Sequence, residues 1–115
     1  MMPLKPRQEA FYRRVVELYR TAGMTPPSVR IASHLIGAPP DAICAMLRIG
    51  IERGEIIDAG EGIYFAAHTL QHLAEQLKSL PSPVKVAQVR DLTNSSRRYA
   101  AAALRALRTQ GWMDT

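Results

Sequence analysis

Apolar residues in the first part of the chain recur at the spacing of a helix surface. This spacing predicts three helices within residues 7–54, with Gly23 and Gly37 ending the first two. Ser28 is a good N-cap for the second helix. Pro39 fits the first turn of the third, where its missing N–H would have no partner in any case. The expected inward-facing positions are Phe11, Val15, Leu18, Tyr19, Ala22, Val29, Ala32, Leu35, Ile36, Ile43, Leu47, Gly50 and Ile51.

Two short runs of β-prone residues follow these helices. Ile56-Ile57 and Ile63-Tyr64-Phe65 flank a turn that contains two glycines, so residues 55–65 are predicted to form a hairpin. Three helices followed by a hairpin is the element order of a winged helix. Residues 1–66 are therefore predicted to form one winged-helix unit with a β-hairpin wing.

The helical pattern starts again after the hairpin. Leucines spaced by three and four predict a fourth helix over residues 67–80, and Val86, Val89 and Leu92 mark a short fifth helix. A sixth helix, capped by one of two serines at 95 and 96, runs to residue 110, and Trp112 is expected to begin a strand. The chain is thus predicted to be mainly α, with two tandem winged-helix units. The second unit, residues 67–115, has a truncated wing.

Composition places the chain among globular proteins of a reducing compartment. Its 115 residues are 47% apolar, which is enough for a hydrophobic core. Cys44 is the single cysteine, so no disulfide can form within the chain. The sequence shows neither the apolar stretch of a signal peptide nor a run of membrane-spanning length. We therefore expect a cytoplasmic protein that does not enter a membrane.

Positive charge is concentrated in the second predicted unit. The whole chain carries a formal charge of +5. Residues 1–66 hold eight Lys/Arg against seven Asp/Glu, whereas residues 67–115 hold seven against three. The charges of the third helix cancel, so the first unit is interpreted as a scaffold or spacer. The second unit is the one expected to meet a polyanion.

The sixth helix combines a packing face with a stripe of guanidinium groups. At about 100° per residue, its four arginines share an arc of about 100°, and no Asp or Glu lies between Leu92 and Met113. Guanidinium groups bind phosphate oxygens in a bidentate manner, and the helix N-terminus adds free N–H groups and a positive dipole end. The arginines are Arg97, Arg98, Arg105 and Arg108.

The segment VKVAQVRDLTNSSRRYAAAALRALRTQG resembles part of the bacterial selenocysteine-specific translation elongation factor, in its C-terminal winged helices. Arg90 and Asp91 match that family's Arg-Asp pair, and residues 96–99 match its Ser-Arg-Lys-Tyr. A weaker similarity covers LYRTAGMTPPS, RGEII and GIYFAAHTLQHLAEQLKSL. The resemblance implies that the final winged helix binds the messenger hairpin that marks a UGA codon for selenocysteine. It also implies that Arg97 and Arg98 touch the RNA backbone near the hairpin loop.

The chain also departs from that family's pattern. Arg105 and Arg108 stand where the family usually has acidic residues, and Met113-Asp114-Thr115 replaces a Thr-Arg-Arg segment leading into a basic wing. No Gly-x-x-x-x-Gly-Lys-Ser/Thr motif is present. The chain is therefore expected to be an excised or split C-terminal piece, or a free-standing relative. A GTPase region or subunit of the same factor is a candidate partner.

These patterns predict an RNA-binding module whose partner is a messenger hairpin. Two alternatives stay open: a free-standing regulator that binds duplex DNA, and a protein-interaction or spacer module. The residues predicted to contact nucleic acid are Arg90, Ser96, Arg97, Arg98, Arg105 and Arg108.

Catalytic and metal chemistry find little support in the sequence. Neither a Ser/His/Asp nor a Cys/His constellation is evident, and we expect neither an enzyme nor a cofactor. His68 and His72 have the four-residue spacing of a metal site but lack an arranged carboxylate, so no metal is expected. Cys44 and Tyr99 are expected to be core residues.

Overall fold

The computed structural model describes residues 3–113, which form six helices and one two-stranded antiparallel sheet. The predicted mainly α class and the hairpin are confirmed. No helix within this range is long and apolar enough to cross a membrane. The elements are α1 (Pro6–Ala22), α2 (Val29–Ile36), α3 (Pro40–Glu52), β1 (Ile56–Asp58), β2 (Tyr64–Ala66), α4 (Ala67–Leu77), α5 (Val86–Thr93) and α6 (Arg97–Thr109).

The helix ends lie close to the predicted signals. The Ser28 hydroxyl accepts a hydrogen bond from the N–H of Ile31 at 3.2 Å, and Gly37 ends α2 in the left-handed conformation. Helix α3 begins one position later than expected, because Pro39 is the N-cap and Pro40 is the first helical residue. Of the two predicted caps for α6, Ser96 fills the role.

Helices α1, α2 and α3 pack around a hydrophobic cluster that we call the N-terminal core. Its large, fully buried members include Tyr12, Val15, Tyr19, Ile43 and Leu47. The order and packing of these helices with the hairpin are consistent with a winged helix. Two of the expected inward-facing residues are instead exposed: Leu35 on α2 is 65% exposed and Ile51 on α3 is 40% exposed.

The two strands contribute side chains to two different cores. Successive residues of a strand point to opposite faces, so Ile56 and Tyr64 join the N-terminal core while Ile57 and Phe65 face the other way. Ile57 pairs directly with Phe65 across the sheet. Both faces of this small sheet are therefore covered by protein.

The second cluster, which we call the C-terminal core, is formed by α4, α5, α6 and the outer face of the hairpin. It includes Phe65, Leu70, Leu73, Val89 and Leu107. Helix α4 follows β2 without a linker, because Ala66 ends the strand and Ala67 begins the helix. Four of the five alanines of α6 are buried in this core: Ala100, Ala102, Ala103 and Ala106. Their small size lets the hairpin and the other helices pack close to α6.

The expectation that Trp112 begins a strand is wrong. The backbone N–H of Trp112 donates to the carbonyl of Leu107 at 3.0 Å, and Gly111 has a φ of 75°, so the chain turns back across the end of α6. Up to Met113, no strand follows α6. The last two residues of the predicted truncated wing, Asp114 and Thr115, lie outside the described residues.

Close approach between α3 and β1 fixes how the sheet sits on the N-terminal core. A Cβ added at Gly50 would lie 2.5 Å from Cγ1 of Ile56 and 3.1 Å from its Cβ. We expect Gly50→Ala to lower the free energy of unfolding by about 1–3 kcal/mol through overpacking. The same change at an unhindered helical site raises it by about 1 kcal/mol.

Urea unfolding of Gly50→Ala, Ile56→Ala and the double variant measures this coupling. Ile56→Ala removes the clashing Cγ1 atom, so Gly50→Ala should cost much less in that background. If Gly50→Ala lowers the free energy of unfolding equally in the wild-type and Ile56→Ala backgrounds, the close approach to Ile56 is not the cause of the destabilisation.

A group of ionic contacts joins α1 to the start of the hairpin. Glu55 accepts hydrogen bonds from the Tyr12 hydroxyl at 2.6 Å and from Arg13 at 2.9 Å. Arg53 forms a two-pronged contact with Glu9, at 2.8 and 3.0 Å. Burial by itself raises the pKa of Glu55, but the hydrogen bonds from Tyr12 and Arg13 outweigh it and lower the pKa below its ordinary value.

The lowered pKa of Glu55 makes the stability of the chain depend on pH. The ionised carboxylate stabilises the fold above its unfolded pKa of about 4.3, and this contribution is lost as pH falls through the lower folded pKa. We expect Glu55→Gln to be less stable than the wild type at pH 7 and to lose less stability between about pH 5 and pH 3. Urea unfolding across this range measures the free energy of unfolding of each variant. Glu75→Gln, at an exposed glutamate of α4, is the control. If the free energies of unfolding of wild type and Glu55→Gln fall in parallel with pH, the ionised Glu55 is not the source of this pH dependence.

Candidate nucleic-acid interface

The N-terminus of α6 is an exposed, positively charged helix end. Ser96 caps it by accepting a hydrogen bond from the N–H of Tyr99 at 3.3 Å. Arg97 and Arg98 are exposed in the first turn, which contains no acidic residue. The positive end of the helix dipole and two guanidinium groups therefore face solvent at the same place.

These two arginines differ in their surroundings. Arg97 has no hydrogen-bond or ion-pair partner among residues 3–113. The Arg98 guanidinium lies 5.5 Å from the centre of the Tyr99 ring, and its Nη2 is 3.5 Å from the carbonyl of Glu61 at the hairpin tip. Tyr99 is thus half-buried beside a guanidinium and does not lie deep in the core.

Arg105 binds the hairpin. Its Nε and Nη2 donate to the carbonyl of Ala59 at 3.1 and 2.5 Å. Arg108 makes a longer contact, with Nη2 at 3.4 Å from the carbonyl of Val84. Three of the four arginines therefore donate to backbone carbonyls, with Arg98 making the longest contact, and Arg97 has no such partner among residues 3–113. A carbonyl is neutral, so each retains its full charge, and a guanidinium has five N–H donors. A phosphate contact from either residue stays a prediction.

Arg90 lies at the end of α5, before the turn that leads to α6. Its Nε is 3.1 Å from the carboxylate of Asp91, so the matched Arg-Asp pair is a local ion pair. The turn passes through Asn94, which has a φ of 53° and ends α5 in the left-handed conformation. A contact between Arg90 and nucleic acid is likewise still a prediction.

The structure also brings together residues that the sequence could not connect. The hairpin carbonyls of Ala59 and Glu61 meet arginines that are 46 and 37 positions away along the chain. The first turns of α2 and α6 line a common cleft with the hairpin. Nothing in the local sequence pattern reports such long-range neighbours.

The remaining reactive residues are dispersed. In the part of the chain that the structure describes, no group of three or more His, Cys, Asp or Glu side chains is placed to hold a metal ion. His68 and His72 are both exposed on α4, and Cys44 is half-buried, which is more open than expected.

Comparison with known proteins identifies a similar fold. No protein-family model matches the chain, and no curated protein matches it in sequence. Among solved structures, the chain is similar to the mRNA-binding domain of elongation factor SelB from E. coli, determined in complex with SECIS RNA. The superposition has a TM-score of 0.79 at 20% sequence identity, and it covers 97% of this chain and 93% of that one. At this identity the likeness shows a shared fold.

Arg105 is expected to stabilise the fold as well as contribute charge. Arg105→Ala removes two charge-assisted hydrogen bonds from the buried Ala59 carbonyl, so we expect a loss of about 1.5–3 kcal/mol in the free energy of unfolding. Arg97→Ala is the matched control on the same helix, with an expected change within about 0.5 kcal/mol. Urea unfolding at pH 7 compares the two, and equal stabilities would show that the Arg105 contact is energetically neutral. Arg105→Lys should be intermediate, because it keeps the charge without the two-donor geometry.

Proposed function

We propose that this chain is an RNA-binding module whose partner is a folded messenger hairpin. The observation that carries the proposal is the near-complete overlap, at a TM-score of 0.79, with a domain solved in complex with SECIS RNA. The exposed, cationic N-terminus of α6 supports it, because phosphate oxygens are the natural ligands of such a helix end.

Within this proposal the chain is two tandem winged-helix units, residues 1–66 and 67–115. The C-terminal unit supplies the recognition helix α6. The N-terminal core and its sheet hold that unit in place. More specifically, we propose that the chain recognises the hairpin that directs selenocysteine insertion. It would then be part of a cytoplasmic translation elongation factor. The GTPase region of that factor lies in the same chain or in a separate subunit. The chain itself acts by binding, without catalysis.

The candidate contacts fall into two groups. Arg97 and Arg98 are proposed to bind backbone phosphates directly, because they are exposed at the helix N-terminus. The Ser96 hydroxyl uses a lone pair for its cap and retains its proton for a phosphate oxygen. Arg90, Arg105 and Arg108 are proposed as weaker contacts, since each has an intramolecular partner closer than the 3.5 Å that separates Arg98 from the Glu61 carbonyl.

Salt-dependent binding of single variants tests the proposal. Arg97→Ala and Arg98→Ala should each weaken binding to a selenocysteine-insertion hairpin. Each should also flatten the log–log salt slope, by about 0.7–0.9 for a lost phosphate contact. Arg20→Ala on α1 is the matched control: Arg20 is exposed and, among residues 3–113, pairs only with Glu17 one turn earlier, so hairpin affinity should hardly change. Fluorescence anisotropy at two salt concentrations provides the measurement.

The same titrations with unrelated RNA and with duplex DNA distinguish the alternatives. If the wild type prefers the hairpin to unrelated RNA and duplex DNA, and Arg97→Ala and Arg98→Ala reduce that preference, the result supports hairpin recognition. Tighter binding to duplex DNA would identify a DNA-binding regulator instead. The wild type and a variant lacking all four α6 arginines could instead bind equally weakly and without salt dependence. That result would exclude nucleic-acid binding and favour the protein-interaction module.

A further inference from the structure

Helix α2 exposes two large aliphatic side chains on one face. Ile31 is 54% exposed and Leu35, one helical turn later, is 65% exposed. Isolated apolar residues on a surface are common, but these two are neighbours and line a common groove of about 520 Å³ with Ser28, Arg30 and His34. We call this feature the α2 groove. The helix buries its other side, including Ala32, in the N-terminal core.

The α2 groove continues to the N-terminus of α6. A second cleft, of about 420 Å³, is lined by Ser28 and Ile31 on one side and by Arg98 and Tyr99 on the other, with Gly62 of the hairpin between them. Because Ser28 and Ile31 line both spaces, the two form one continuous surface. This surface runs from the proposed phosphate contacts of α6 onto α2.

Positive charge and apolar area alternate along this surface. Arg98 lines the cleft beside α6 and Arg30 lines the α2 groove, and none of the residues lining either space is Asp or Glu. The first turns of α2 and α6 also contain no acidic residue, so neither helix dipole is opposed there. A protein partner with a purely apolar face would leave both guanidinium groups to be desolvated without a counter-charge.

We propose that this continuous surface binds unpaired nucleotides of RNA, an inference that rests on the proposed function and extends it to α2. A nucleotide offers a flat apolar base and an adjacent anionic phosphate, which matches the alternation on the protein. The base lies between Ile31 and the Tyr99–Arg98 pair, since bases stack on aromatic rings and guanidinium planes. Phosphates on either side meet Arg98 and Arg30. The N-terminal unit then contacts RNA directly and is more than a spacer.

Methyl NMR and binding of a single-stranded probe test the inference. The probe is a purine-rich RNA hexanucleotide containing 2-aminopurine, added to the full chain. On titration with the probe, we expect the methyl resonances of Ile31 and Leu35 to shift and the methyl resonance of Ile51 to keep its position. We also expect the fluorescence of 2-aminopurine to be quenched. Ile51 is the control because it is 40% exposed and lines neither space.

Apolar-to-polar variants measure the contribution of the groove. Ile31→Asn should weaken hexanucleotide binding by about tenfold, since the base packs against Ile31, and Leu35→Asn should weaken it less, since Leu35 lines only the α2 groove. Both variants should leave the salt slope unchanged. Ile51→Asn should bind as the wild type does. All three side chains are exposed, so thermal unfolding should confirm that each variant remains folded.

Two outcomes would overturn the inference while leaving the proposed function standing. In the first, hairpin binding depends on Arg97 and Arg98, but the hexanucleotide shifts neither the Ile31 nor the Leu35 methyl. In the second, these methyls shift with protein concentration in the absence of RNA, and Leu35→Asn abolishes self-association in sedimentation, so a second copy covers the groove. Hairpin binding that is indifferent to Arg97→Ala and Arg98→Ala is a separate result, and it contradicts the proposed function itself.

Discussion

The two-stranded sheet, buried on both faces, is the constraint on which the rest of this structure depends. A strand turns alternate side chains to opposite sides, so Ile56 enters the N-terminal core and Ile57 the C-terminal core. Two strands of three residues would be marginal by themselves, but here both faces are covered. Because α4 starts directly at Ala67, no flexible linker separates the cores. The sheet, with four of its six residues buried, thus fixes the orientation of α6 relative to α2.

This constraint changes what the hairpin can do. In a winged helix whose hairpin is free, the hairpin tip is available to nucleic acid. In this chain the tip is bound from within, because the carbonyl of Ala59 accepts from Arg105 and that of Glu61 lies within reach of Arg98. The hairpin therefore acts as a support for α6. The first turn of that helix stays exposed, and the proposed phosphate contacts lie there.

The sequence predicted the elements well because their signals are local. Gly37, Ser28 and Ser96 end or begin helices by bonds to residues only a few positions away, so their roles are visible in the sequence. The sharing of the sheet could not be predicted, since alternation shows that a strand has two faces without showing what covers each. The prediction for Trp112 is wrong for a related reason: one aromatic residue after a helix can start a strand or close the helix end, and only the hydrogen bond to Leu107 decides between them.

The arginines of α6 show the same limit in the candidate site. Helical geometry placed all four on one arc, but only the tertiary structure shows that Arg98 and Arg105 donate to hairpin carbonyls and that Arg108 donates to the carbonyl of Val84. A carbonyl partner removes freedom from a guanidinium and leaves its charge intact. Arg105 and Arg108 therefore still add to the long-range field that attracts a polyanion, whereas Arg97 is free to reach a phosphate. The contact between Arg105 and the hairpin thereby supports the same fold that leaves the first turn of α6 exposed.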